Sequence, residues 1–145
     1  MKLIDLNLLI YSTNSDSPHH AKALRWLESA LSGEETVAVA WIVILGFVRI
    51  STRPGAFSKP LTPNQAFDIV DGWLSRPCVT VLHPGELHWS ILRGLLEQAG
   101  TAGNLSTDAH LAALALEYGA TLCSTDNDFV RFGKQLRCFN PLSEP

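Results

Sequence analysis

The chain has 145 residues and a formal net charge of −3, and 46% of its residues are hydrophobic while 17% are charged. This composition excludes an intrinsically disordered chain, and the length predicts one domain, residues 1–145, with a proper hydrophobic core. No apolar run is long enough to cross a membrane, and Asp5 and Asn7 interrupt the apolar segment that a signal peptide needs, so we expect a cytoplasmic protein.

Apolar stretches of strand length alternate with helical patterns along the whole chain. Strands are predicted at residues 2–5, 36–40, 79–82, 120–124 and 137–139. Helices are predicted at residues 17–33, 62–75, 86–98 and 108–118, with a single helical turn at 129–132. Residues 6–11 form a turn or a first helix. Residues 41–50 form a buried helix or a second strand, and the helix is favoured because a strand covering 36–50 would be unusually long.

Several of the predicted helices carry capping residues at their ends. Ser17 and Pro18 are typical of a helix start, and Thr62 followed by Gln65 forms the capping-box pattern. Glycines end three of the predicted helices: Gly33, Gly100 and Gly119.

Strands that alternate with helices predict an α/β protein with a mainly parallel, twisted sheet of four to five strands and helices on both faces. In such sheets, ligands bind beyond the carboxyl ends of the strands. Asp5 and Asp126 come at the ends of two predicted strands, and Asp108 lies in the first turn of a helix, where free amide groups stabilise an anion. Three carboxylates are therefore candidates for one shared site.

Carboxylates gathered without basic partners stay ionised only beside a cation. Oxygen ligands without His or Cys suit Mg²⁺ or Mn²⁺, and such a site favours a bound phosphate and phosphodiester hydrolysis. Each acid also has a structural explanation, because Asp108 can stabilise a helix start and Asp126 or Asp128 can cap the turn before Phe129. A structural role explains Asp5 least well.

Other residues with reactive or charged side chains give weaker signals. Cys78, Cys123 and Cys138 are far apart in sequence, which predicts small residues in or near strands rather than disulfides or zinc ligands. Residues 36–67 and 129–143 contain no acid. Within the first of these runs, Arg49 and Arg53 are available to contact phosphates, and Arg49 is also a candidate partner of a site acid. Ordinary surface charge is the alternative.

Four segments together resemble the PIN-domain family, and most closely the VapC toxins of bacterial toxin–antitoxin pairs. The segments are residues 3–7 (LIDLN), 46–54 (GFVRISTRP), 107–115 (TDAHLAALA) and 124–129 (STDNDF). The segment at 46–54 resembles the version common among mycobacterial VapC proteins. No single segment is decisive, but their order and spacing are specific.

The resemblance implies a toxin that is a Mg²⁺- or Mn²⁺-dependent endoribonuclease and that inhibits translation by cutting structured RNA, such as a tRNA or rRNA loop. It also implies a homodimer and a VapB-type antitoxin that blocks the site. By position, Asp5, Asp108 and Asp126 carry over as catalytic, metal-binding acids. Asn7 and Asp128 carry over as supporting residues.

One position departs from the family pattern. PIN domains typically carry a Glu in the helix after the second strand, and the corresponding residue here is Gly46, which cannot bind a metal ion. Gly46 leaves the number of ions open and favours an alternative function, a catalytically weak or inactive PIN-fold binding module. It is also consistent with a neighbouring helix packed closely at this glycine. Phosphoryl transfer through Asp5 is disfavoured, because such enzymes usually carry a second acid where Asn7 stands.

Overall fold

The computed structural model describes residues 1–143, in which five parallel strands form one sheet. The strands are β1 (Lys2–Ile4), β2 (Val37–Ala40), β3 (Val79–Leu82), β4 (Thr121–Cys123) and β5 (Cys138–Phe139). Their order across the sheet is β3-β2-β1-β4-β5, so β1 lies in the centre between β2 and β4. The parallel α/β fold predicted from the alternation of elements is confirmed.

Helices connect the strands and cover the sheet. The α-helices are α1 (Leu6–Thr13), α2 (His20–Ser32), α3 (Trp41–Thr52), α4 (Pro63–Leu74), α5 (His88–Ala99) and α6 (Ser106–Tyr118). Two 3₁₀ segments, Gly103–Leu105 and Asn127–Phe132, lie before α6 and after β4. The helices α1 to α4 pack against one another, while α5 packs against α6 and the second 3₁₀ segment. The helix favoured for residues 41–50 is confirmed, and residues 6–11 belong to a helix.

Helix ends follow the capping signals at most positions. Thr62 Oγ1 accepts a hydrogen bond from the Gln65 amide at 3.2 Å, and Gln65 Oε1 accepts one from the Thr62 amide at 2.9 Å, which completes the capping box. The start predicted at Ser17 is wrong, because α2 begins at His20. Ser17 Oγ instead accepts a hydrogen bond from the His19 amide at 3.1 Å, in a turn that precedes the helix.

The hydrophobic core lies between the sheet and its helices. Every residue of β2 is buried, as expected for a parallel strand covered on both faces. Helix α6 buries several small side chains, which lets it approach the sheet closely: Ala109, Ala112, Ala113 and Ala115. The three cysteines are free and lie in or next to strands, as predicted. No helix within residues 1–143 has the length and apolar character needed to cross a membrane.

Candidate metal centre

The strand order creates a crevice at the carboxyl ends of β1 and β4. The chain moves from β1 outward through β2 and β3, and then returns to the other side of β1 to form β4. Where the strand order reverses in this way, the connections leave in opposite directions and open a ligand-binding crevice. Asp5 directly follows β1, and Asp126 follows β4 by one short turn. Both acids therefore lie at this reversal point.

Asp5 ends the central strand and caps α1. Its Oδ1 accepts a hydrogen bond from the Leu6 amide at 2.7 Å, and its Oδ2 accepts one from Ser124 Oγ at 2.6 Å. Burial raises the pKa of Asp5, the two hydrogen bonds lower it, and the negative charge of Asp126 raises it again, with a net upward shift. The hydrogen bonds thus orient this carboxylate without compensating its burial.

Ser124 joins the acids of the two strands. Its side chain is buried, with 6% of the residue exposed. While its hydroxyl donates to Asp5, the same oxygen accepts a hydrogen bond from the Asp126 amide at 2.9 Å. Ser124 is not among the site residues predicted from the sequence. The S-T-D spacing was the available signal, because a hydroxyl two residues before an acid is well placed to bond that acid's amide.

Asp126 also has the structural role that the sequence left open. Its Oδ1 accepts a hydrogen bond from the Asp128 amide at 2.8 Å and so caps the 3₁₀ segment that contains Phe129. Its Oδ2 has no hydrogen-bond partner within residues 1–143. Capping and ion binding are therefore compatible for this side chain, because each uses a different oxygen.

The carboxylates of Asp108, Asp126 and Asp128 converge near the start of α6. Oxygen atoms of these three residues lie within 4.8 Å of one another. Asp108 is half-buried, and its burial, followed by the charges of Asp5, Asp126 and Asp128, raises its pKa to about 6. None of the four acids forms an ion pair with a basic side chain in the described part of the chain. Arg49 is therefore not the ion-pair partner of a site acid.

A pocket of about 350 Å³ contains the three acids predicted from the sequence. Its lining is formed by Asp5, Leu6, Asn7, Ile10, Tyr11, Ile50, Asp108 and Asp126. Asp128 is exposed and stands outside this lining. Asn7 does line the pocket, yet its Oδ1 is inaccessible to solvent and has no hydrogen-bond partner in residues 1–143. The atom of Asn7 that could donate to a carboxylate is Nδ2, and in residues 1–143 the side chain of Asp5 accepts only from the Leu6 amide and the Ser124 hydroxyl.

Gly46 lies where α3 crosses α1. A Cβ atom at this position would lie 2.7 Å from Leu6 Cδ2, which is closer than two carbon atoms approach in real structures. The close packing expected as one explanation of this glycine is confirmed. Because Leu6 also lines the pocket, it occupies the side of the site that a side chain at position 46 would otherwise reach.

His110 is close to Asp108 in sequence but faces α5. Its Nδ1 lies 2.9 Å from Nε2 of His88, whose Nδ1 lies 2.7 Å from Oε2 of Glu117. The other Glu117 oxygen accepts a hydrogen bond from the Gly85 amide at 2.9 Å. These contacts join α5, α6 and the loop before α5, and His110 is not part of the pocket lining.

The donors in the pocket fit a hard divalent cation. The three acids offer carboxylate oxygens, burial and neighbouring negative charges raise the pKa values of Asp5 and Asp108, and no basic side chain in the described residues forms an ion pair with any of the three. A cation would remove this repulsion and keep the acids ionised near neutral pH. The fold and this pocket thus define a parallel α/β protein with an acidic centre able to hold a metal ion.

Comparison with known proteins agrees with this class. The PIN domain family model matches residues 2–135. The chain is 46% identical over 132 residues to Ribonuclease VapC37 of Mycobacterium tuberculosis, covering 91% of this chain and 92% of that protein. It is 38% identical over 144 residues to Ribonuclease VapC33 of the same species, covering 99% and 100%. The chain therefore belongs to the PIN-domain family and, within it, to the VapC proteins.

Solved structures share the fold at lower sequence identity. The VapBC2 complex of Rickettsia felis, bound to a promoter DNA fragment, superposes with a TM-score of 0.70 at 22% identity, covering 96% of this chain and 97% of that chain. Mycobacterium tuberculosis VapC20, described as a sarcin–ricin loop cleaving toxin, gives a TM-score of 0.68 at 18% identity, covering 94% and 99%. At these identities the likeness supports the fold alone.

Proposed function

We propose that this protein is the toxin of a type II toxin–antitoxin system and acts as an endoribonuclease on structured RNA, such as a tRNA or rRNA loop, so that translation is inhibited. The observation that carries the proposal is the pocket in which Asp5, Asp108 and Asp126 meet without any basic partner. Relatives that share up to 46% of the sequence are ribonucleases by name, which supports RNA as the substrate.

We propose Asp5, Asp108 and Asp126 as the ligands of a divalent ion, with Mg²⁺ favoured and Mn²⁺ as the alternative. When bound, such an ion supplies positive charge beside a phosphate and activates water for hydrolysis. The chain's own contribution is orientation: Ser124 holds Asp5 in one direction, and the capped turn holds Asp126 opposite it. Asp128, exposed beside Asp108 and Asp126, supports the site from its rim.

The proposed partners are a VapB-type antitoxin and a second copy of this chain. Structural neighbours that contain both a VapC-like chain and its antitoxin support the first partner. Exposed apolar side chains support association in general, because monomeric proteins rarely expose large apolar patches. Trp41 and Leu45 lie one turn apart on α3 and are 48% and 66% exposed. We also propose that residues 1–145 form one domain, since one core packs against both sides of the sheet.

RNA cleavage with and without a divalent ion tests the function. The wild-type protein is expected to cleave a structured RNA in Mg²⁺ and to lose this activity in EDTA. Asp5→Ala and Asp108→Ala should each abolish cleavage, whereas Asp71→Ala, an exposed acid on α4, should retain it. Equal cleavage by all four proteins would exclude the proposed site.

A catalytically weak or inactive binding module is the second candidate, and Gly46 is the observation that favours it. This alternative predicts a wild-type protein that binds its antitoxin but cleaves no RNA in Mg²⁺ or Mn²⁺. Expression in growing cells separates the two candidates further, because only a nuclease should depress protein synthesis in a manner that Asp108→Ala removes.

A further inference from the structure

An aromatic pair stands at the edge of the acidic pocket. Asn7, Ile10 and Tyr11 line the pocket together because residues three and four positions apart share one face of α1. The Tyr11 ring contacts the His19 ring, with centroids 4.8 Å apart and planes inclined by 49°. His19 is exposed. The two rings therefore form a surface that begins in the pocket and ends in solvent.

The turn between α1 and α2 holds the second ring against the first. A ring nitrogen of His20, Nδ1, lies 2.9 Å from the Tyr11 carbonyl oxygen, so the chain returns toward the end of α1 just after His19. The Ser17 hydroxyl bonds the His19 amide at 3.1 Å and shapes the same turn. Because these two contacts with backbone groups hold the chain on either side of His19, the two rings are largely preorganised before any ligand binds.

A basic segment lies beside this aromatic pair. Asn14 Nδ2 donates to the Ala56 carbonyl at 3.1 Å, and Ser58 Oγ donates to Asp16, so the turn after α1 is joined to the loop after α3. This loop begins at Arg53, one helical turn beyond Arg49. Both arginines are exposed and form no ion pair with an acid in residues 1–143.

Ile50 connects the arginines to the pocket. It lies on the last turn of α3 between Arg49 and Arg53 and forms part of the pocket lining. Arg49 precedes Ile50 on the helix, and Arg53 follows the last helical residue as the first residue of the loop. The pocket lining thus joins the aromatic side chain of Tyr11 on α1 to Ile50 on α3, and Ile50 directly follows the exposed Arg49 in the chain.

We infer that the Tyr11–His19 pair stacks on an unpaired base of a single-stranded RNA segment, while Arg49 and Arg53 contact the flanking phosphates. This inference rests on the proposed ribonuclease function and adds how the pocket selects its substrate. Aromatic rings bind bases of unstacked RNA by stacking, and arginines bind phosphates. A paired base inside a helix cannot reach the rings, so the arrangement favours loops over duplexes.

Binding measured in EDTA tests the stacking platform separately from cleavage. Two fluorescein-labelled probes are compared by anisotropy: an eight-nucleotide single-stranded RNA, and an abasic ribose–phosphate chain of equal length and charge. The wild-type protein should bind the RNA roughly 10-fold more tightly than the abasic chain. Tyr11→Ala should abolish this preference, and Tyr11→Phe should retain it, because stacking requires the ring and not the hydroxyl. His19→Ala should reduce it partly.

Arginine variants and matched controls complete the design. Arg49→Gln and Arg53→Gln should weaken both probes equally and reduce the salt dependence of binding. Trp89→Ala and Arg93→Gln should change neither affinity, because both residues are exposed on α5, which does not line the pocket. Tyr11→Leu keeps an apolar side chain but removes the ring. If this variant also loses the preference for the RNA over the abasic chain, apolar packing alone does not explain that preference.

The opposite results overturn the inference. Base stacking would be rejected if the wild-type protein bound both probes equally. It would also be rejected if Tyr11→Ala kept the full preference for the RNA, or if it weakened the binding of both probes equally. Cleavage in Mg²⁺ is scored independently. Base-dependent binding by a protein that cleaves nothing would reject the nuclease and keep the platform, whereas cleavage without Tyr11-dependent binding would reject only the platform.

Discussion

Replacing Asp108 with Asn measures how much the burial of this carboxylate, together with repulsion from the neighbouring acids, destabilises the metal-free protein. Burial and the neighbouring acids raise the pKa of Asp108 from 3.8 to about 6. A carboxyl group whose pKa is higher in the folded state binds its proton more tightly there, so it favours folding at low pH. This contribution is complete below about pH 4 and is lost as the pH rises through about 6.

The size of the effect follows from three contributions. A shift from 3.8 to about 6 corresponds at most to about 3 kcal/mol, and solvent screening at this half-exposed carboxyl reduces it to about 1–2 kcal/mol. In the opposite direction, Asn loses the interaction of a first-turn carboxylate with the start of α6, about 0.5 kcal/mol. Asp108→Asn should therefore stabilise the metal-free protein by about 1 kcal/mol at pH 7 and have no effect at pH 4.

Urea unfolding in EDTA between pH 4 and pH 7, followed by circular dichroism, provides the measurement. Asp71→Asn is the matched control, because this exposed acid on α4 lies outside the pocket and its replacement should change stability by no more than about 0.5 kcal/mol. Mg²⁺ at 100 times its dissociation constant should then stabilise the wild type by about 2.7 kcal/mol and Asp108→Asn much less. A variant that is less stable than the wild type at pH 7 in EDTA would refute the cost assigned to this buried, repelled carboxylate.

Three further substitutions have defined outcomes. Ser124→Ala should cost about 1–3 kcal/mol by urea unfolding, because it leaves one oxygen of Asp5 and the partly buried amide of Asp126 without their partner. Ser124→Thr should recover part of the loss in both stability and RNA cleavage. Gly46→Ala should have a free energy of unfolding within about 1 kcal/mol of the wild type, since its higher helix propensity offsets a small shift of Leu6. Gly46→Leu should lower the free energy of unfolding by about 2 kcal/mol or more, and Leu6→Ala should partly restore it. Glu117→Ala should lower the free energy of unfolding by about 2 kcal/mol, because His88 loses its buried partner; an unchanged unfolding midpoint would contradict this.

Local features of the sequence predicted most of the elements, because their signals lie within a few residues. The capping box of Thr62 and Gln65 forms as expected, since both of its hydrogen bonds join residues three positions apart. Gly100 and Gly119 end their helices with positive φ angles of 75° and 64°, which glycine adopts without strain. The helix start predicted at Ser17 was wrong because a serine hydroxyl, which can cap a helix, can also stabilise a short turn.

The sequence predicted the acids of the candidate site, but it did not predict the hydrogen bonds that orient them. Asp5 stands out in the sequence because an acid directly after an apolar strand needs a partner or a cation. Its partner Ser124 is 119 residues away, and no periodicity connects the two. Their contact exists because β4 pairs with β1, which is a property of strand order. The metal-binding role of the three acids remains a prediction.

The sequence by itself determined which segments form most of the helices and strands, and which positions carry acids, arginines and aromatic rings. Only the tertiary structure decided that Leu6 fills the space beside Gly46, that Tyr11 and His19 form a pair, and that the loop after α3 lies against the turn after α1. Local patterns reflect the backbone's own hydrogen bonding and the burial of one face. The meeting of distant segments depends on which of many compatible strand orders buries the most apolar surface, and that is a property of the whole chain.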